Sequence, residues 1–249
     1  MRDPVVAIIP ARYASTRFPG KPLVALAGVP MIVRVARRAQ LAGRVDRVLI
    51  ATDDARIAAV AAEAGFQAVM TAASCPSGTD RVAEAARSDS YARAAALIVN
   101  VQGDEPLIDP ADIDVLIAET LASGAELGTL ARPLEHRFDD PNVVKVVVGS
   151  SDHRALYFSR AAIPHGDGPR LQHIGLYAYR PEALQRLSTL APTPLERVER
   201  LEQLRALEHG LRIHVAMARS RAPAVAIDTP EDVERVLALI GDEGAGPPS

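Results

Sequence analysis

The chain is short of several things at once, and each shortage excludes a class of protein. Its 249 residues include one cysteine, Cys75, and no tryptophan, with five tyrosines and four phenylalanines as the only aromatic side chains besides histidine. A single thiol closes no intramolecular disulfide and has no second cysteine for a zinc knuckle, which suits a reducing compartment. The six histidines, His136, His153, His165, His173, His209 and His214, show no helical pairing with a carboxylate on a shared face, so zinc is not expected. No apolar run reaches the roughly 18 residues that cross a bilayer, and no basic stretch followed by an apolar one opens the chain. A cytoplasmic protein without a membrane partner is expected. The formal net charge is −3, so there is no global positive field to hold nucleic acid by counterion release.

Motif absences are equally informative. There is no Gly-x-Gly-x-x-Gly, and no Gly-x-Ser-x-Gly to seat a serine nucleophile. Nor is the first loop a Walker loop, because Ser15 stands where its first glycine would fall and Pro22 follows Lys21 where serine or threonine should bind magnesium. Lysine is the scarcest charge: 26 arginines accompany only Lys21 and Lys145. Where cations are written so freely as guanidinium, a surviving lysine points to a place that needs a compact ammonium.

What is present is a 48% hydrophobic chain long enough for one large buried core. Val5–Ile9 reads as a central strand buried on both faces and stopped by Pro10. A loop from Pro10 to Pro30 follows, then a helix from Pro30 at its first position through Met31–Leu41. Val48–Ala51 is the next strand, with Thr52, Asp53 and Asp54 capping an Ala-rich helix over Ala55–Ala64. Gln67–Met70, a helix near Thr79–Arg87 and the run Ala95–Val101 continue the βαβ rhythm to about residue 125. Beyond it, strand-like stretches at Leu127–Leu130, Val143–Val148, Ala155–Phe158 and Ile174–Tyr179 have no helix between them, so the sheet should turn partly antiparallel. One helix over Leu195–His209, a strand at Ile213–Met217 and a helix from Thr229–Pro230 to Ile240 complete a single domain over 1–240, with 241–249 as a frayed tail. The expected fold class is α/β, a mostly parallel sheet flanked by helices with a small partly antiparallel subregion.

Ligands bind at the carboxyl ends of strands in such sheets. The loop after the first strand carries Arg12, Arg17 and Lys21, a composition that suits a polyphosphate and equally a solvated basic loop. After Leu97–Val101 come Gln102, Gly103, Asp104, Glu105 and Pro106, an acidic pair that reads either as a turn or as hard oxygen donors for Mg²⁺. Asp228 is another acidic residue at a strand-to-helix junction, either donor or helix entry. Ser77-Gly78-Thr79-Asp80-Arg81 is either an N-cap or a ligand loop. Cys75, before Pro76, reads as a loop residue and not a nucleophile.

Taken in order, these segments resemble the 3-deoxy-manno-octulosonate (KDO) cytidylyltransferases. The carriers are Ile8–Arg17, Pro19–Leu23, Ser77–Arg81, Val99–Pro106, Ala155–Arg160, His173–Tyr177, Leu201–Arg205 and Asp228–Asp232, spread from Val5 to Leu237. The resemblance implies a fold of the nucleotide-diphospho-sugar transferase type. It implies transfer of CMP from CTP to the anomeric hydroxyl of the eight-carbon sugar acid for lipopolysaccharide biosynthesis, with release of pyrophosphate and a need for Mg²⁺. Carried over residue by residue, it assigns Pro10, Ala11, Arg12, Arg17, Lys21, Ser77, Thr79, Arg81 and Gln102 to the nucleotide. Asp104 and Asp228 become metal ligands, and with Arg17 and Lys21 the catalytic groups. Arg160, His173, Tyr177, Glu202 and Gln203 become the sugar pocket, with Arg160 on the carboxylate. A homodimer with its contact within residues 130–180 is also implied.

Overall fold

A computed structural model of the chain describes residues 3–14, 18–166, 168–220 and 225–244. In chain order the first half contains β1 (Val5–Ala11), a 3-10 turn (Lys21–Leu23), the short pair β2 (Ala25–Leu26) and β3 (Val29–Pro30), and α1 (Met31–Gln40). Then come β4 (Arg47–Thr52), α2 (Ala55–Glu63), β5 (Gln67–Met70), α3 (Gly78–Ser88), α4 (Ser90–Arg93), β6 (Leu97–Asn100) and α5 (Pro110–Ser123). The second half contains β7 (Leu127–Pro133), β8 (Lys145–Val148), β9 (Ala155–Ser159), β10 (Leu171–Tyr179), α6 (Pro181–Thr189), α7 (Pro194–Glu199), α8 (Gln203–Glu208), β11 (Ile213–Met217) and α9 (Pro230–Gly244).

The main sheet runs β11-β7-β10-β6-β1-β4-β5, with β8 attached to β10 and β9 to β8. β1 is parallel to β4 and β6, and β4 to β5, whereas β10 is antiparallel to both β6 and β7. The expected parallel sheet with an antiparallel subregion is therefore present. Side chains of β1 alternate between two cores. Val5, Ala7 and Ile9 pack with α1, α2 and α5, and Val6 and Ile8 pack with α3, α6 and α8. A third cluster joins Leu26 and Met31 to Ile227 and Val236, which seats α9 over the β2–β3 hairpin.

Local chemistry sets the boundaries. Asp54 caps α2, Ser77 and Asp80 form a reciprocal capping box on α3, and Asp109 caps α5 ahead of Pro110. Pro10 does not stop β1, as expected from sequence, but lies inside it. The β6 ladder ends with Ile8 opposite Asn100, so the missing proline N–H interrupts no pairing there. Pro30 stands one position before the helix, as its N-cap.

Three further expectations need correction. The segment Leu195–His209 is not one helix but two, α7 and α8, broken at Arg200, whose φ is +56°. The break frees the carbonyls of Glu199 and Arg200 to accept from the Arg160 guanidinium, at 2.8 and 3.5 Å. Helices α4, α5 and α6 have no counterpart among the elements expected from sequence. Helix α9 continues to Gly244, so residues 241–244 are not a tail, and 245–249 lie outside the described residues.

Candidate active site

The loop after β1 is folded back on itself. Gly20 takes a left-handed conformation, φ +72°, and donates its N–H to the Tyr13 carbonyl at 3.0 Å. A side chain at that position would meet the Tyr13 ring at 3.2 Å. The ring also carries the Arg56 guanidinium, 3.4 Å from its centre and itself paired with Asp54. This packing delivers Lys21 to the start of the 3-10 turn, with its side chain 14% exposed.

From there the Lys21 Nζ donates to Asp104 Oδ2 at 2.8 Å, to the Ile227 carbonyl at 2.7 Å and to Asp228 Oδ1 at 3.4 Å. Two backbone devices hold those acids in place. The Gln102–Asp104 turn presses against the end of β1 so closely that a Cβ on Gly103 would lie 2.6 Å from the Pro10 carbonyl oxygen. The Asp104 carbonyl in turn accepts from the Ile227 N–H at 2.9 Å, and the Asp228 N–H donates to the Asp232 carboxylate at 3.0 Å. Asp104 and Asp228, 124 positions apart in sequence, thus converge on one cation. Two hard carboxylate oxygens around a single positive centre are a donor set that fits Mg²⁺, which takes few protein carboxylates and completes its shell with phosphate and water. No third acidic or histidine ligand joins them among the described residues.

One cleft runs over this cluster, lined by Pro10, Ala11, Arg12, Lys21, Ser77, Arg81 and Gln102 as well as both acids. Every nucleotide-side residue expected from sequence therefore lies here except two. Arg17 falls outside the described residues, and Thr79 lines the neighbouring cleft, with the Tyr179 hydroxyl as hydrogen-bond partner. Ser77 is both things that its motif allowed: it caps α3 and faces the cleft. Arg81 is almost fully buried, with Nη1 donating to Thr71 Oγ1 at 2.6 Å and Nη2 to Asp53 Oδ2 at 3.1 Å. Cys75 also reaches this cleft, but burial and the nearby Glu84 push its thiol up to about 11, so it is not a nucleophile at neutral pH. Glu105, beside Asp104, is pushed up to about 7 by burial and by that neighbour, with Arg132 opposing.

The second cleft opens onto the first through Gly78, Gln102 and Asp228, which line both. Arg160, Tyr177, Glu202 and Gln203 line it as well. Between Ile174 and Tyr177 the register of β10 against β7 shifts, and the irregularity brings Gly175 and Tyr177 to the cleft wall. His173 is not among the residues lining it. It is buried, with Nε2 2.9 Å from Thr129 Oγ1 and its ring edge-on to Phe158 at 4.9 Å. The Thr129 hydroxyl gives its own proton to the Leu176 carbonyl at 2.9 Å, which leaves His173 to donate. Burial holds its pKa down to about 3, so the imidazole is neutral and takes no part as a base.

Sequence reading missed Asp53, Glu199 and the Tyr13–Arg56 pair. Asp53 was treated as a helix-entry residue, although it follows directly on β4 and so carried the strand-end signal. Glu199 gave no signal of its own. It accepts from Ser159 Oγ at 2.6 Å and from the Arg160 N–H at 2.9 Å, and its importance depends on the helix break beside it.

Comparison with known proteins places the chain in a family. Residues 6–213 match a family model described as Cytidylyltransferase. The chain is 51% identical over 247 residues to 3-deoxy-manno-octulosonate cytidylyltransferase of Myxococcus xanthus (strain DK1622), covering 96% of this chain and 97% of the relative. It is 50% identical over 241 residues to the protein of the same description from Azorhizobium caulinodans, covering 95% of each. A solved structure of CMP:2-keto-3-deoxy-manno-octonic acid synthetase complexed with CTP superposes with a TM-score of 0.90 at 38% identity, over 96% of this chain and 99% of that one. At 14% identity and a TM-score of 0.66, 4-diphosphocytidyl-2C-methyl-D-erythritol synthase shares the fold alone.

Proposed function

The chain belongs to the 3-deoxy-manno-octulosonate cytidylyltransferases within the cytidylyltransferase family, and from that premise we infer that it transfers CMP from CTP to the anomeric hydroxyl of KDO. The anomeric hydroxyl gives up its proton to solvent as its oxygen forms a bond to the α-phosphorus, the bond from that phosphorus to the oxygen that bridges to the β-phosphate breaks, and pyrophosphate leaves. The observation that carries this reading is the convergence of Lys21, Asp104 and Asp228 where the two clefts join.

Each cleft takes one substrate. The triphosphate lies along the first, over Pro10, Ala11, Arg12 and Lys21, with Arg81, Ser77 and Gln102 on the nucleoside side. The sugar acid lies in the second, its carboxylate on Arg160 and its hydroxyls on Tyr177, Glu202 and Gln203. Attack brings a polyanion and a carboxylate-bearing sugar together, so positive charge has to meet the charge developing between the α-phosphorus and the leaving group. Lys21, with three donors on a compact centre, is placed to provide it. Asp104 and Asp228 would hold Mg²⁺, which when bound supplies charge neutralisation on the phosphates and acidifies a nearby hydroxyl. The contact of Lys21 to the Ile227 carbonyl does not depend on either carboxylate and would hold the ammonium at the seam were the two acids to take the metal.

The product is an activated sugar acid for lipopolysaccharide biosynthesis in the cytoplasm. A homodimer with its contact within residues 130–180 belongs to the same reading, and Leu156 on β9, in that region, is 49% exposed. No helix of the described residues is long and apolar enough to cross a membrane. The test is pyrophosphate release with CTP, Mg²⁺ and a panel of acidic sugars. KDO is expected to give the highest kcat/KM, and a higher value for a sialic acid or an amino-substituted octulosonate would move the activity to that acceptor.

A further inference from the structure

Lys21 belongs to the reacting centre, and Lys145 does not. Lys145 opens β8 and has no exposed surface. Its Nζ donates to three main-chain carbonyls, Arg160 at 2.6 Å, Val143 at 2.7 Å and Asp140 at 3.0 Å. An ammonium has three N–H groups, so the set is complete. Three carbonyls disposed around one point suit that tripod and not the planar fork of arginine, which accounts for a lysine surviving here among 26 arginines. Among the described residues no carboxylate pairs with it; burial disfavours its charge, and Asp140, Asp139 and Glu199 favour it only at longer range. Burying a charge is costly, and the three carbonyl bonds are what offset the loss of water around this one.

The three carbonyls show what they do. Arg160 is held at its own carbonyl by Lys145 and at its amide by the Glu199 carboxylate, 2.9 Å away. Its guanidinium then reaches the Glu199 carbonyl at 2.8 Å and the Pro141 carbonyl at 2.8 Å. Pro141 lies in the turn whose ends, Asp140 and Val143, are the other two carbonyls on Lys145. One ammonium thus fixes both the backbone from which the guanidinium projects and the turn that orients it. We infer that Lys145 is a positioning residue of the acceptor cleft, tying the Asp140–Val143 turn to the Arg160 main chain and so setting where the Arg160 guanidinium meets the carboxylate of the sugar acid. This inference rests on the reading of Arg160 given above.

The test is a double-mutant cycle on the intact enzyme, with CTP and KDO varied in turn. Lys145→Met keeps the length and the apolar stem and removes every donor. It is expected to raise the KM for KDO about tenfold while the KM for CTP stays within about twofold. In an Arg160→Ala background the same substitution should add less than about twofold, because there is no guanidinium left to position. Full additivity, or no effect of Lys145→Met alone, overturns the inference and leaves the role of Arg160 intact. An Arg160→Ala enzyme with unchanged KM for KDO overturns both. Should Lys145→Met fail to fold, Lys145→Gln keeps two N–H donors. Equal loss of CTP and KDO use in that variant would make Lys145 a scaffold residue and refute the positioning role.

Discussion

Lys21, in the parallel half of the sheet, donates to two carboxylates and one carbonyl, whereas Lys145, in the antiparallel half, donates to three carbonyls. The same contrast separates the arginines. Arg81 is held by the Asp53 and Thr71 side chains, and Arg160 chiefly by the carbonyls of Glu199 and Pro141. A cation paired with carboxylate and hydroxyl side chains can exchange them for phosphate oxygens by side-chain rotation alone. One held by main-chain carbonyls keeps its place unless the backbone moves. The first arrangement suits a polyphosphate whose charge changes along the reaction; the second suits recognition of one sugar shape. The loops that follow the parallel strands supply side-chain partners, and the Asp140–Val143 turn and the end of α7, beside the antiparallel strands, supply main-chain ones.

The comparison breaks most visibly at the shared acids. Asp104→Asn and Asp228→Asn each remove one charge with little change of volume, and each is expected to lower kcat about a thousandfold, the upper end for one electrostatic group. Pyrophosphate release near the wild-type rate at saturating Mg²⁺ would take that residue out of the site. Next in size is Lys21→Ala, expected to slow the single-turnover rate about a hundredfold with CTP saturating. Lys21→Arg should restore only part of that, since a wide planar group cannot repeat the contacts to Asp104 and the Ile227 carbonyl. A Lys21→Ala rate within about threefold of wild type would return it to the status of a solvated loop lysine.

Smaller effects test the scaffolds. Gly103→Ala places a methyl group 2.6 Å from the Pro10 carbonyl, so the turn and β1 must part, and thermal unfolding should show a loss of about 1–3 kcal/mol. An unchanged Tm would mean that the turn moves freely. His173 sharpens the contrast from the acceptor side. Its folded pKa of about 3 lies below the unfolded value near 6.5, so the unfolded chain takes up a proton first and stability falls as pH drops through that interval. The slope from this one group reaches about 1.4 kcal/mol per pH unit, and His173→Gln should remove it from the pH dependence of urea unfolding. Equal slopes in the two proteins would show that the imidazole is solvated and free to titrate.

The parallel half was the more legible in the sequence, for a physical reason. Its strands are continuous apolar runs, and the groups at their ends are short local motifs, so Arg12, Lys21, Ser77, Gln102 and Asp104 could be found one loop at a time. What the motifs could not show was the pairing of Lys21 with Asp228, which depends on a contact across 207 positions. In the second half of the chain local pattern misled once, and the place of His173 rested on the family resemblance and not on pattern. The periodicity from Leu195 to His209 is helical throughout, yet tertiary bonds to Arg160 break it at Arg200. His173 carries the chemistry of a ligand residue but sits behind the cleft wall, because the register shift in β10 presents Tyr177 instead. Lys145 was visible only as an oddity of composition, since main-chain carbonyls leave no trace in a sequence.

The claim that the two halves serve different substrates is tested most directly by Arg160→Ala, with CTP affinity measured by calorimetry and the KM for KDO by pyrophosphate release. The account predicts a rise of about tenfold or more in the KM for KDO with CTP affinity within about twofold of wild type. An equal weakening of both substrates, or of CTP alone, would place Arg160 on the nucleotide side or in the scaffold and contradict the division.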